Sequence, residues 1–412
     1  SNYYMNINHF NLYIMKRLYF IFCLFIFIGC THKSKAPVNS TLPVLDLTKD
    51  YPEIEVDIHE IADVEYVPLE TTDESLMIAG VEYCISDKYI ITYDPPGTVF
   101  FFDRTGKHIR TICNIGQGPK EHFSIFSFAV DFNREEYYIE DRSKLHVYSF
   151  LGEWKRSFNL PKGIHHNDMI DYDENHLIID NKFHESFFNE NQPADKTPYY
   201  LVNKETGAYT PLTLTIEKRI SRVLKRGIES IDENTSDTYI HDLYMITPIL
   251  ANSYDILIAD FGLDTLYNLK NGEFTPIAVR YPPVHSNNPP TVIAPTHYSN
   301  QLMFFKPVKM IYTPKDIWEP YDSAPLLMWD RKNNEIHSVR LYDSNQPERD
   351  IMHTMKKRWL NQPNTFLNPL RAERLFKALQ DGKLNGKLKE ISSLLKEDDN
   401  NVLAIYKLRK FN

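Results

Sequence analysis

The chain is poor in cysteine and has no membrane-length apolar run. It also lacks the local patterns that mark common catalytic centres. Four cysteines in 412 residues show no spacing of the kind that holds structural zinc. Neither a G-x-S-x-G turn nor an H-E-x-x-H pair occurs, so the signatures of a hydrolase elbow and a zinc-protease helix are missing. Lys and Arg number 46 against 55 Asp and Glu, a formal net charge of -9. That balance argues against nucleic acid as a partner, because non-specific binding needs cations that displace phosphate counterions. No cofactor is expected from any of these patterns.

The longest apolar run is short but placed tellingly. Residues 18–28, LYFIFCLFIFI, follow Lys16-Arg17 and end at Gly29-Cys30 before the polar THKSK. The run falls well below the roughly 20 residues of a spanning helix. A basic start, an apolar core and a small residue at the break define a secretory signal. Cysteine directly after Gly29 predicts cleavage there and lipidation of Cys30, although Phe27 stands where such signals usually carry Leu. Residues 1–14 then read as an upstream extension, 15–29 as the lipoprotein signal peptide, 30–50 as a tether and 51–412 as the folded body. A membrane reached through the N-terminal lipid is thus an expected partner. Thr31–Lys35 after the cysteine has no acidic run. Cys84 and Cys113 would remain after processing; they could pair in an oxidising compartment or serve as small buried hydrophobes.

From Ile54–Ile58 and Val64–Leu69 onward the chain repeats short β-rich runs separated by Asp, Asn and Gly turns. Tyr89–Tyr93, Thr98–Phe102, the turn Asp103–Lys107 and His108–Ile112 form one unit. Glu136–Glu140, Leu145–Phe150, Leu151–Glu153 and Trp154–Phe158 repeat it about 48 residues later. Further copies start at His176, Asp255 and Gln301. Five units are visible and the chain has material for a sixth, which predicts an all-β, six-bladed β-propeller; a sandwich or two separate β domains is the alternative. Pro369–Lys396 reads as helical, with Leu370, Leu375, Phe376 and Leu379 in one apolar stripe and Leu384, Leu388, Ile391 and Leu395 in another. A helical segment over 370–396, split near Gly382 and Gly386, should therefore cap the ring. Val402–Leu408 should close the last blade beside an N-terminal strand, because an open blade leaves an unpaired edge.

Residues 101–161 resemble the repeat of NHL-type propellers. Val64–Thr72 (VEYVPLETT), Ile115–Pro119 (IGQGP) and the C-terminal LLKEDDNNV together resemble the six-bladed propeller lipoproteins of Bacteroides and relatives. The resemblance covers essentially the whole mature chain. It departs over residues 346–369, which blurs the sixth blade's boundaries. It implies the fold, the anchor, an association with glycan utilisation at the envelope and, because such lipoproteins carry an acidic run when exported to the surface, the periplasmic face of the outer membrane, but no catalytic residue.

Gly116-Gln117-Gly118-Pro119 could suggest a phosphate cradle, but a dinucleotide fingerprint opens a helix within a βαβ unit. Here the context predicts a structural loop between blades. His165-His166 with Asp168 could suggest a metal, yet adjacent side chains on a strand face opposite ways. Asp171, Asp173 and Asn175 share the start of a calcium-loop spacing, but His176 occupies the glycine position and Lys182 the final glutamate; the reading is an acidic turn with no metal. Trp154 and Trp329 fall in strand runs and should be core. Trp318 and Trp359 fall outside them and are the candidate ligand-binding residues, able to stack on a sugar. The expectation is a lipid-anchored envelope protein that binds or scaffolds, its partner a glycan or an envelope protein. A polymer hydrolase or lyase with converging carboxylates at the axial mouth is the alternative.

Overall fold

A computed structural model describes residues 41–164, 166–181, 197–220, 223–228, 239–244, 247–252, 255–310, 321, 323–351 and 362–409. Within them the chain forms a six-bladed β-propeller. Blade 1 comprises Tyr83–Ile85, Tyr89–Asp94, Thr98–Asp103 and His108–Cys113. Blade 2 comprises Ser127–Asp131, Glu136–Asp141, Lys144–Ser149 and Trp154–Asn159. Blade 3 comprises His166–Asp171, His176–Asn181, Tyr199–Asn203 and Tyr209–Pro211. Blade 4 is built from Ile249–Asn252, Asp255–Ile258, Thr265–Lys270 and Glu273–Tyr281. Blade 5 is built from Thr291–Tyr298, Leu302–Lys309, Leu327–Asp330 and Glu335–Asp343. In each, strands pair antiparallel in sequence order.

Burial explains why the middle strands were so legible. Blades pack face to face, so their second and third strands are covered on both sides and read as continuous apolar runs. In Thr98–Asp103 the four central residues Val99–Phe102 are all buried, whereas in the outer strand His108–Cys113 every residue but Ile112 is half-buried or exposed.

The turns between third and fourth strands lock successive blades. Asp103 accepts from the Thr105 and Lys107 amides at 2.8 and 3.1 Å. Gly106 takes φ +88°, open to glycine at little cost. A Cβ there would overlap the Pro68 carbonyl of the preceding blade. Gly152 and Gly207 repeat the device against Ile112 and Phe158.

Blade 6 closes the ring with both ends of the chain. Val402–Leu408 pairs antiparallel with Thr365–Leu370 on one side and with Ala62–Pro68 on the other. Two earlier N-terminal strands add to outer edges: Val44–Asp46 runs parallel to Val279–Tyr281 of blade 4, and Glu53–Asp57 parallel to Ser338–Tyr342 of blade 5. Part of the expected tether, residues 44–46, is therefore sheet. Ile58, read with the first strand, instead begins the short helix Ile58–Ile61, capped by the Asp57 side chain on the His59 amide at 3.1 Å. The closure is fastened by Asp343, which accepts from Tyr66 Oη at 2.5 Å and from the Asn345 amide at 2.8 Å, with His59 Nε2 at 3.0 Å. Burial and Asp343 hold the Tyr66 phenol well above its ordinary range, so it stays a donor.

The C-terminal helices are Ala372–Gln380 and Gly386–Ser392. Leu375, Leu384 and Leu388 are buried in the cluster shared by blades 5, 6 and 1. Pro369 and Leu370 are not helical as expected: they end the strand Thr365–Leu370, where Pro369 and Leu370 oppose Leu403 and Val402. Cross-strand packing there outweighs the helical spacing. The hairpin Val223–Ile228 with Tyr239–Tyr244 has no counterpart in the sequence reading.

Candidate functional site

The two rims of the ring differ in what joins the strands. Antiparallel order puts the turns after first and third strands on one rim. These are short: 86–88, 104–107, 132–135, 150–153, 172–175 and their equivalents span two to five residues. The opposite rim receives every other connection. It carries 69–82, 114–126, the described parts of 212–248 and the helical segment 371–401.

The short-turn rim is tied down by buried charge and amides. Lys204, 1% exposed, follows the third strand of blade 3. Its Nζ lies 2.5 Å from Asp131 of blade 2, 2.5 Å from Asp171 and 2.6 Å from the Asp173 carbonyl. Burial pushes the Asp171 carboxyl up to about 7, against the pull of the Lys204 ammonium. Beside it Arg156 makes a two-point pair with Glu136 at 2.8 and 2.7 Å and donates to the Lys204 carbonyl. That guanidinium, with Tyr138, holds the Glu136 carboxyl below its ordinary range despite burial. Around blades 4 to 6, Asn252 Nδ2 donates to Asn300 Oδ1 at 3.1 Å, the Asn300 amide to Asn364 Oδ1 at 3.2 Å, and the Asn364 amide back to Asn252 Oδ1 at 2.6 Å.

On the long-connection rim, Arg219 bridges blades 3 and 4. Its Nη2 reaches Asp180 Oδ1 at 3.1 Å and Asp260 Oδ2 at 3.2 Å, and Tyr199 Oη donates to Asp260 at 2.8 Å. Thr247 donates to Asp168 Oδ2 at 2.9 Å. Nearer blade 1, the Asp94 carboxylate gathers the amides of Ile78, Ala79 and Gly80.

Each residue singled out in the sequence has a definite place or falls outside the described residues. Gly116–Pro119 lies between blades 1 and 2. The loop does hold an anion, but one of its own: the Gly118 amide donates to Glu121 Oε2 at 2.9 Å, and a Cβ at Gly116 would overlap that carboxylate. His122 then pins the two blades, its ring between the Gly97 carbonyl at 2.9 Å and Tyr148 Oη at 3.3 Å. His166 is buried, with Nε2 2.9 Å from Tyr209 Oη and Nδ1 3.3 Å from Glu140. Asp173 accepts from the Asn175 and His176 amides at 2.8 and 2.7 Å, an acidic turn. Among the described residues no group of three or more His, Cys, Asp or Glu could hold a metal ion. Trp329 is buried, its Nε1 donating to Asn334. Trp154, expected in the core, is only half-buried: it stands on an outer strand, donates to Ser157 and carries the Lys120 ammonium 5.2 Å from its ring centre. Cys30, His165, Trp318 and Trp359 lie outside the described residues. Cys84 and Cys113 are free thiols on the first and fourth strands of one blade. Three strand spacings of about 4.8 Å separate such strands, too far for a disulfide.

Lys204, Arg219 and the asparagine triangle escaped the sequence reading. Lys204 stands in a turn after a strand, where nothing local marks it as buried.

Among the described residues the ring is a six-bladed β-propeller whose buried ion pairs join neighbouring blades. The chain belongs to the family described as Domain of unknown function (DUF4934), whose profile matches residues 42–407. It is similar in fold to a candidate exported protein from Bacteroides fragilis NCTC 9343, at 14% identity and a TM-score of 0.60 over 90% of this chain and 100% of that one. A member of the DUF4221 family from Bacteroides vulgatus ATCC 8482 aligns at 10% identity with a TM-score of 0.48, over 85% of this chain and 98% of that one. No curated protein matches the chain.

Proposed function

We propose that the protein is a binding or scaffolding propeller of the cell envelope, anchored through lipid on Cys30, that engages a glycan or partner protein at its long-connection rim. The contrast between the rims carries this reading. A frame fixed by short turns and buried pairs displays connections of up to the span 212–248 on one side only, the division of labour in which rigid scaffolds position binding loops. Trp318 and Trp359, which lie outside the described residues, are the side chains this reading assigns to stacking on sugar or peptide.

The hydrolase alternative asks for carboxylates that converge and meet substrate. Asp131 with Asp171, and Asp180 with Asp260, do converge, but each pair holds a cation between its members and all four are at most 7% exposed in their side chains. Such groups bind blades together rather than activate water.

The test is a glycan array and an envelope pull-down with wild type, Trp318→Ala and Trp359→Ala. Saturable binding that falls at least tenfold in a Trp variant supports the reading; no saturable ligand in either format overturns it. Loss of fatty-acid labelling in Cys30→Ser tests the anchor, and protease shaving of intact cells tests the expected periplasmic face.

A further inference from the structure

Arg280 is buried like the cations that join blades, yet it lacks what they have. It is the penultimate residue of Glu273–Tyr281, where the outer strand of blade 4 reaches the long-connection rim, and it is 5% exposed. Leu45 of the N-terminal strand lies beside it in register and is fully buried. Asp264 lies on the other side, its carbonyl accepting from the Arg280 amide at 2.8 Å.

The other buried guanidinia of the ring show what is missing. Arg219 stands between Asp180 and Asp260, and Arg156 makes a two-point pair with Glu136. Those carboxylates hold both guanidinia above their ordinary range in spite of burial. Arg280 spends Nε on the Pro282 carbonyl at 3.0 Å. Its Nη1 and Nη2 have no hydrogen-bond or ion-pair partner among the described residues, and neither is fully enclosed. Burial lowers this guanidinium to about 10, against the pull of Asp264. A charge withdrawn from water without a counter-charge is costly. The fold therefore keeps a cation, one edge of which is open to an acceptor from outside.

We propose that the Nη1–Nη2 edge of Arg280 binds a carboxylate brought by a ligand, one oxygen on each nitrogen. The planar fork of a guanidinium matches a carboxylate in this two-point manner. Asp264 selects the charge of the ligand. Its Oδ1 is held by the Val284 amide at 2.6 Å, so it stays near the guanidinium without pairing to it. The field of that exposed carboxylate opposes a dianion more than a monoanion. A free organic acid and a uronic-acid residue of a glycan present the same group. The site stands on Arg280 and does not depend on the role proposed for Trp318 and Trp359.

The full chain is titrated at pH 7 with sodium acetate, sodium glucuronate and sodium phosphate. Sodium chloride of equal ionic strength is the reference, and both calorimetric heat and melting temperature are read. One saturable site for acetate or glucuronate, with a rise in melting temperature beyond chloride, is expected. Equal affinity for the two points to a free acid, and tighter glucuronate to a sugar acid. Arg280→Met should abolish the site. Arg280→Lys keeps the charge without the fork and should weaken binding about tenfold or more; both variants are checked for native circular dichroism. No saturable carboxylate binding, a folded Arg280→Met or Arg280→Lys that binds like wild type, or phosphate bound more tightly than both carboxylates would each overturn the proposal. Trp318→Ala and Trp359→Ala should leave this titration unchanged, so either reading can fail alone.

Discussion

The short-turn rim and the long-connection rim are made by the same strands and solve opposite problems. On the first, the turns span two to five residues, and buried polar groups bind neighbouring blades, as Lys204 is held between Asp131 and Asp171. On the second, segments long enough to hold a hairpin or two helices leave the ring, and apolar side chains stay in solvent. The difference shows where the fold tolerates sequence change. Additions at the second rim lengthen a loop at small entropic cost, while a residue added at the first would disturb the contact with the next blade.

The sharpest way to break the contrast is Lys204→Met. It leaves Asp131 and Asp171 buried without their cation and should destabilise the ring by about 3–5 kcal/mol in urea unfolding. The same site sets a pH dependence. Asp171 titrates near 7 when folded and near about 3.9 when unfolded, so the native state holds the extra proton between those values. Its contribution to stability is full below about pH 4, is lost as pH rises through 7, and is flat above. Asp171→Asn should flatten that part of the wild-type slope between pH 4.5 and 7.5.

A comparison of two turns comes next. Gly207 has φ +68° and faces Phe158, whereas Gly272 has φ +78° with nothing near. Gly207→Ala should cost about 2 kcal/mol or more, backbone strain plus overlap. Gly272→Ala should cost only the strain, about 1 kcal/mol, and equal costs would erase the distinction between packed and open turns. Smallest is Ile78→Ser on the other rim, expected within about 0.5 kcal/mol of wild type.

Legibility followed burial. Runs such as Val99–Phe102 are covered on both faces and announce themselves. The strand Val44–Asp46 is brief and finds its partner at Val279–Tyr281, so nothing local marks it. Leu370 misled because helix spacing and a two-sided buried strand both place apolar residues close together. The site was less legible for a related reason. Lys204 meets Asp131 across 73 positions and Arg219 meets Asp260 across 41, and a charged residue in a turn looks solvated until the neighbouring blade is present. Ile78 and Phe126 carry no local pattern that sets them apart; only the tertiary structure shows them exposed.

The joint between Val402–Leu408 and Ala62–Pro68 also acts in time. A chain emerging from its N-terminus displays Glu53–Asp57 and Ala62–Pro68 early, yet their partners Ser338–Tyr342 and Val402–Leu408 come last. Until then those strands have open edges, and an open edge invites wrong pairing. Any molecule halted before residue 402 keeps such an edge permanently. Completeness of synthesis is thereby converted into a surface property that a chaperone or protease can read, and the seven residues of the last strand serve as its signature.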